Sequence, residues 1–259
     1  MNDVKSLNSM NTKVYPYAKR VAVCGDIHGD FKALVNKACI QQKMTDTLII
    51  VAGDCGFGFY KLNYYKTMYN KLVGSFRKSN NWIIFVRGNH DDPSYFLEEK
   101  INYEHFRCVP DYTVVQACRL NILCVGGAVS MCRSSCLNDD ATFSYWEAEM
   151  PVFDEEKIRE ITGSCRIDTV VSHTAPSFCP LLDNKGLADW AVYDDKLTED
   201  CRVERETMDR IYYSLKENGH HVDKWFYGHF HRTWFSKYED TNFRMINILE
   251  FQILSTSNA

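Results

Sequence analysis

The stretch VAVCGDIHGD, residues 21–30, decides the fold: four apolar residues run straight into a Gly-Asp-x-His-Gly-Asp turn. An apolar run this short, rich in Val and bounded by Gly, reads as a buried strand rather than a helix. The same design returns in TLIIVAGDCG (47–56) and WIIFVRGNHDD (82–92). Further short runs follow at 113–117 and 120–127, a predicted hairpin, and at 168–173, 224–229 and 243–249. Helical patterning falls between them. Residues 31–44 place Leu34, Val35, Ala38 and Cys39 on one face, and 202–218 space Val203, Thr207, Ile211 and Leu215 by four. A helix over 61–78 separates the second and third strands, and 154–162 opens on acidic residues suited to a helix N-terminus. The first half is therefore βαβαβ, a parallel sheet with ligands at the carboxyl ends of its strands. The later strands predict a second, partly antiparallel sheet.

Composition bounds the function. The 259 residues are 45% hydrophobic and 25% charged, with only 13 Gly and 6 Pro, which excludes a disordered or collagenous chain. A net charge of −4 is compatible with a phosphorylated substrate but offers no basic excess for gripping a nucleic-acid backbone, so nucleic acid is disfavoured as a partner. The eleven cysteines are an odd number and several sit in apolar runs, which points to a reducing, cytoplasmic setting. Cys132 and Cys136 have the spacing of half a zinc site, but no second close pair completes it. The N-terminus has no apolar signal core and no run approaches about 18 apolar residues, so neither secretion nor a membrane partner is expected. Residues 1–19 read as an N-terminal leader and 20–259 as one domain, in which the weakly periodic stretch 130–153 is a lid or rim loop.

Five strand endings carry the chemistry: CGDIHGD (24–30), AGDCGFG (52–58), RGNHDD (87–92), SHTAP (172–176) and GHFH (228–231). A core strand ordinarily runs into a turn of Gly, Asn and Asp, and that explains any one ending. It does not explain why five of the eight histidines, 28, 90, 173, 229 and 231, gather there. With Asp26, Asp54 and Asn89 as oxygen donors, a mixed imidazole and carboxylate set suits Mn, Fe or Zn better than Ca or Mg. One ion cannot take Asp26, His28, Asp54, Asn89, His173, His229 and His231 and keep an open position. Two ions sharing a bridging carboxylate can.

In this order, GDIHG, GDCG, GNHD, a later SH and GHFH closely resemble the calcineurin-like metallophosphoesterase superfamily over residues 21–231. The stretches 181–190 and GGAVS…YWEAE also look like small bacterial or phage-type members. The resemblance implies an α/β fold, a two-sheet mixed sandwich flanked by helices. It assigns Asp26, His28 and His231 to a first ion, Asn89, His173 and His229 to a second, and Asp54 to both. It makes His90 a catalytic residue that is not a ligand. The implied reaction is hydrolysis of a phosphoester by a bridging hydroxide, with His90 assisting the leaving group. A small phosphorylated molecule or nucleotide is the expected partner. Other readings of the same fold are a nucleotide or dinucleotide polyphosphate hydrolase, a cyclic phosphodiesterase, a Ser/Thr protein phosphatase or a non-catalytic binding scaffold. The protein phosphatases carry GDxVDRG at the second motif. This chain reads GDCGFGF, with Phe57 and Gly58 in place of the Asp and the phosphate-binding Arg, which weakens that assignment. Arg133, in the rim stretch, is the candidate to meet the substrate phosphate instead. Asp91 and Asp92 either orient His90 or cap the helix that starts at Pro93. Trp146 and Trp190 either line a base-stacking pocket or fill core or interfaces.

Overall fold

A computed structural model describes residues 11–136, 145–180 and 184–256. The first part of the leader (1–10), the middle of the rim stretch (137–144) and residues 181–183 lie outside it. Strand β1 (Thr12–Val14), within the stretch read as a leader, pairs with a strand about a hundred residues later. In β2 (Arg20–Cys24) Val21 and Val23 face one way and Ala22 and Cys24 the other. In β3 (Thr47–Val51) Leu48 and Ile50 oppose Ile49 and Val51 in the same manner. All eight are buried, which is why these strands read as continuous apolar runs rather than as alternating ones.

The six-stranded sheet continues through β4 (Trp82–Phe85), β5 (Asn102–Tyr103) and β6 (Phe106–Cys108). Strands β2, β3, β4 and β6 run parallel, as the βαβαβ reading requires. The hairpin predicted over 113–125 is present as β7 (Thr113–Ala117) and β8 (Leu120–Val125). It belongs to a seven-stranded sheet with β9 (Thr169–Ser172), β10 (Lys224–Tyr227), β11 (Trp234–Tyr238) and β12 (Thr241–Met245), ordered β1-β7-β8-β9-β10-β12-β11. Both sheets are mixed. The C-terminal run is divided between them: β11 and β12 close one edge of the larger sheet, while β13 (Phe251–Thr256) crosses over to pair antiparallel with β2.

Helices cover the outer faces. Asp30 caps α1 (Phe31–Val35) by accepting from the Ala33 N–H, and a wider π-type turn over Asn36–Gln41 ends the helix before the predicted residue 44. Helices α2 (Leu62–Ser79) and α3 (Pro93–Leu97) pack on the same side of the smaller sheet. The short α4 (Arg133–Cys136) follows the larger sheet's hairpin. Helix α5 (Glu155–Ser164) starts from the Asp154 cap. Helices α6 (Asn184–Ala191) and α7 (Leu197–Glu217) complete the set. On α7 the predicted face holds at Thr207, Ile211 and Leu215, but Val203 is 37% exposed. A spacing of four drifts about 40° per step around a helix of 3.6 residues per turn, so its fourth member leaves the face. Glu204, Arg205, Met208 and Tyr212 take the buried positions instead. One core lies between the sheets and two lie beneath the helices, so the architecture is a two-sheet mixed sandwich flanked by helices. No described helix is long and apolar enough to cross a membrane.

Phe57, at the position where protein phosphatases carry a charged residue, is a core residue here. It is fully buried, with ring centroids 5.1 to 5.8 Å from those of Phe31, Tyr65, Phe85 and Phe96. Phe57→Ala is expected to cost about 3 to 5 kcal/mol of unfolding free energy in urea denaturation. A loss below about 1 kcal/mol would mean that this cluster does not anchor the second motif.

Candidate metal centre

The five motif turns, four of them bearing histidine, leave the carboxyl ends of parallel strands in both sheets: β2, β3 and β4 in one, β9 and β10 in the other. Where these edges meet, ligand atoms of Asp26, His28, Asp54 and His231 lie within 4.8 Å of one another, and those of Asp54, His173 and His229 form a second such group. Asp54 is common to both. His28 and His231 point their Nε2 atoms at each other across 2.9 Å, with Asp26 Oδ2 at 3.8 Å and 3.0 Å respectively. On the other side His173 Nε2 is 3.3 Å from Asp54 Oδ1 and 2.9 Å from Asn89 Oδ1. All seven donors expected from the sequence are thus brought together. His90 is adjacent, its ring centroid 6.0 Å from that of His28, and its backbone N–H donates to Asp54 Oδ1 at 3.0 Å.

The backbone is bent to achieve this. His28, Asp54, His229 and His231 have φ of 44°, 46°, 67° and 50°, the left-handed region that side chains with a Cβ rarely occupy. Such outliers persist where the surroundings over-determine them, and they gather at functional sites. Two glycines permit the crowding: a Cβ on Gly53 would land on the His173 ring, and one on Gly228 would land on Asp26 Oδ1.

The electrostatics fit cations. Asp54 is buried, which alone would raise its pKa, but the imidazoles facing it, His173 foremost, hold it well below the usual carboxylate range. His173 is the other half of that pair: burial opposes its charge, yet the Asp54 carboxylate lifts it to about 9. Burial holds His28 down, and burial together with His173 holds His229 well down, so both favour the neutral form that ligates metal. Asp26 Oδ1 is occupied by the His229 N–H at 3.1 Å, which leaves Oδ2 to face the two imidazoles. His231 goes the other way, raised by its hydrogen bond to Asp26, so a proton on the His231 ring joins it to its neighbours across 2.9 to 3.0 Å, and a divalent cation held by His28, His231 and Asp26 would take the place of that proton. The residues present therefore fit two metal ions.

Supporting groups that the sequence reading did not single out hold the ligands in place. Ser130 donates its hydroxyl proton to Glu149 Oε2 at 2.5 Å, so its oxygen can only accept from Asn89 Nδ2, at 2.8 Å. This orients the Asn89 amide with Oδ1 toward His173. The cost of keeping Glu149 buried shows in its pKa, which burial raises to about 7. Of the paired acids, Asp92 is the helix cap, accepting from the Ser94 N–H at 2.9 Å ahead of Pro93. Asp91 neither caps the helix nor is seen to orient His90. It is fully buried and accepts four backbone N–H groups, from Cys55, Gly56, Phe57 and Gly88, at 2.7 to 3.0 Å. It locks the second and third motifs together. Burial and the nearby Asp54 nonetheless raise its pKa to about 6.

The arginines are placed differently. Arg87 ties the far end of the rim stretch to the sheet through the carbonyls of Ala148, Glu149 and Met150 and the Asp111 carboxylate. Arg133 pairs with Asp194 and Asp200, at 2.6 Å each, and is not among the residues lining the cavity beside the cluster. Trp190 lines that cavity and Trp146 does not.

The family profile of the calcineurin-like phosphoesterases matches residues 19–233, which includes every one of these turns. The chain belongs to that family. No curated protein matches the chain significantly. Among solved structures it is similar to GAP50, the anchor in the inner membrane complex of Plasmodium, at 14% identity and a TM-score of 0.45, covering 88% of this chain and 71% of that one. It is also similar to the phosphopantetheinyl hydrolase of Mycobacterium tuberculosis, at 14% identity and a TM-score of 0.39, covering 89% and 91%. The two donor groups around Asp54 are what a calcineurin-like phosphoesterase needs for a dinuclear centre.

Asp91→Ala removes the acceptor of four buried N–H groups, and the expected loss is about 3 kcal/mol or more in chemical denaturation. Asp91→Asn, which keeps one acceptor oxygen, should lose less. Equal stability of Asp91→Ala and the parent would show that the clamp contributes nothing.

Proposed function

We propose that this protein hydrolyses a phosphoester with two metal ions, of the Mn, Fe or Zn type. Asp26, His28 and His231 would hold one, Asn89, His173 and His229 the other, and Asp54 both. The observation that carries this reading is that a single buried carboxylate belongs to two imidazole-rich donor groups at once. Ions held there supply positive charge to the phosphoryl oxygens and lower the pKa of water toward neutrality. The chain's own residues do the rest. His90 lines the cavity beside the donors, and in this reading it gives a proton to the departing alkoxide oxygen, a task suited to imidazole near neutral pH. Asn89 is held in one amide orientation by Ser130 and Glu149, and Asp91 keeps the turns carrying Asp54 and Asn89 in register.

A small phosphorylated molecule or nucleotide is the substrate class we favour, ahead of a phosphoprotein. Phe57 and Gly58 fill the second motif without charge, and the cavity beside the cluster is a compact one of about 450 Å³. Arg133 reaches a substrate phosphate in this scheme only by leaving Asp194 and Asp200, whereas Arg205 and Arg232 already line the cavity. The odd number of cysteines and the buried thiols of Cys24, Cys55, Cys108, Cys124 and Cys179 support a reducing, cytoplasmic setting for one domain over 20–259.

Asp54→Asn removes the charge common to both donor groups. Metal content by elemental analysis should fall below two ions per chain and turnover should drop by about 100-fold or more; two bound ions with near-normal turnover would exclude Asp54 as the bridge. His90→Ala should keep both ions and slow an alkyl phosphate by about 10² to 10⁴. A p-nitrophenyl ester, whose leaving group needs no proton, should be affected less. Equal slowing of the two esters would remove His90 from the leaving-group role, and loss of metal would overturn the ligand assignment.

A further inference from the structure

The lining of the cavity beside the metal cluster is of two chemical kinds. Asp54, Asn89, His90, His229 and His231 belong to the cluster. Val129 and Met131 from the segment after β8, Leu187 and Trp190 from α6, and Phe230 from the last metal-motif turn form an apolar wall, to which Arg205 and Arg232 add cations. The cavity volume of about 450 Å³ lies in the range of small-molecule sites and is ample for a bicyclic ring system with its linker. The acid in this wall is already engaged: each oxygen of the Glu204 carboxylate accepts a hydrogen bond, one from the Thr174 hydroxyl and the other from the Val129 N–H. A sugar, or the main chain of a peptide, would therefore surrender its water here and find few acceptors in return. An aromatic ring would lose little water and gain the faces of Trp190 and Phe230.

One polar group in the wall lacks a partner. Arg205 is 92% buried, its exposure being 8%, and it lies 5.4 Å from the centroid of the Phe230 ring. Its Nη2 donates to the carbonyls of Pro176 and Cys179, while Nη1 is buried with no hydrogen-bond partner among the described residues. A buried guanidinium N–H left unsatisfied in the wall of a cavity is a place for a ligand acceptor.

We infer that this cavity is the subsite for the organic part of the substrate, and that it selects phosphoesters whose alcohol carries a flat, mainly apolar ring system bearing one hydrogen-bond acceptor. This rests on the phosphoester reading of the metal cluster and names the class of ester that the cluster acts on. Trp190 and Phe230 hold the ring, Leu187 and Val129 enclose it, and Arg205 Nη1 meets the acceptor.

The test compares 2-(2-naphthyl)ethyl phosphate with ethyl phosphate, both esters of primary alcohols, so the departing oxygens are alike and only the ring differs. In the Mn-loaded protein the naphthyl ester should have a kcat/KM at least ten-fold higher, most of it in KM. Trp190→Ala should bring that ratio to within about three-fold of one. Binding is measured separately, by calorimetry, with the two corresponding phosphonates, which are not hydrolysed. The naphthyl compound should bind at least ten-fold more tightly to the parent, and Trp190→Ala should erase the difference. Thermal unfolding and metal content of the variant exclude collapse of the site, and Leu187→Ala, a smaller change on the same helix, should reduce both ratios in the same direction. Equal kcat/KM and equal binding of the two series in the parent, or ratios that survive Trp190→Ala, would overturn the subsite while leaving the hydrolase reading intact. A binding preference without hydrolysis of either ester would keep the subsite and overturn the hydrolase reading.

Discussion

The Asp54 carboxylate is the constraint around which the site is arranged. It is buried at the carboxyl edge of β3, where the two sheets meet, and it faces imidazoles delivered by both. A buried anion is costly unless it is compensated. Here compensation comes from His173 of the opposite sheet at 3.3 Å, from the backbone N–H of His90, and, in the reading given above, from two cations. The demand propagates outward. Asp54 takes a left-handed conformation to aim its carboxylate at the shared point, and Gly53 before it has no Cβ because the His173 ring fills that space.

Around that point lies a layer of groups that touch no ion and yet decide whether the ligands can serve. Asp91 gathers four N–H groups from two different strand endings, so the turns carrying Asp54 and Asn89 move as one body. Tyr65, on α2, does the same from beneath, donating to the Gly56 carbonyl and accepting from the Gly58 and Tyr60 N–H groups. Ser130 and Glu149 remove the two-fold ambiguity of the Asn89 amide. Arg87 secures the chain that brings Glu149 in, which turns part of the expected rim loop into a fixed strap. Positioning of this kind is what keeps ligands within the tolerance that metal chemistry requires.

The departure from the protein-phosphatase pattern has a structural consequence. With Phe57 buried among aromatic rings and Gly58 in a left-handed turn, the second motif offers packing where that branch offers charge. In the proposed reading the polar grip on substrate comes from elsewhere: the cavity has Arg205 and Arg232 on its wall, while Arg133 is held in ion pairs.

How much of this could be read from the chain alone follows from the range of the interactions involved. The parallel strands were legible because a strand covered on both faces must be apolar at every position, and the donors were legible because the Gly-Asp, Asn-His and Gly-His pairs directly follow those strands. Elements held by distant partners were not legible. Strand β1 exists only because β7 pairs with it, and β13 leaves its sequence neighbours to pair with β2 in the other sheet. The roles of Asp91, Ser130 and Glu149 carry no local signature, since an acid that binds four amides of other turns looks in sequence like any acid before a helix. Arg133 looked available because its carboxylate partners lie some sixty residues further on. By itself the sequence determined the fold class and which histidines, carboxylates and amide stand at the ends of the parallel strands, because periodicity and turn chemistry act over a few residues. Only the tertiary structure decided which donors face each other, which arginines line the cavity and which apolar side chains stand beside them, because those follow from contacts between segments far apart in the chain.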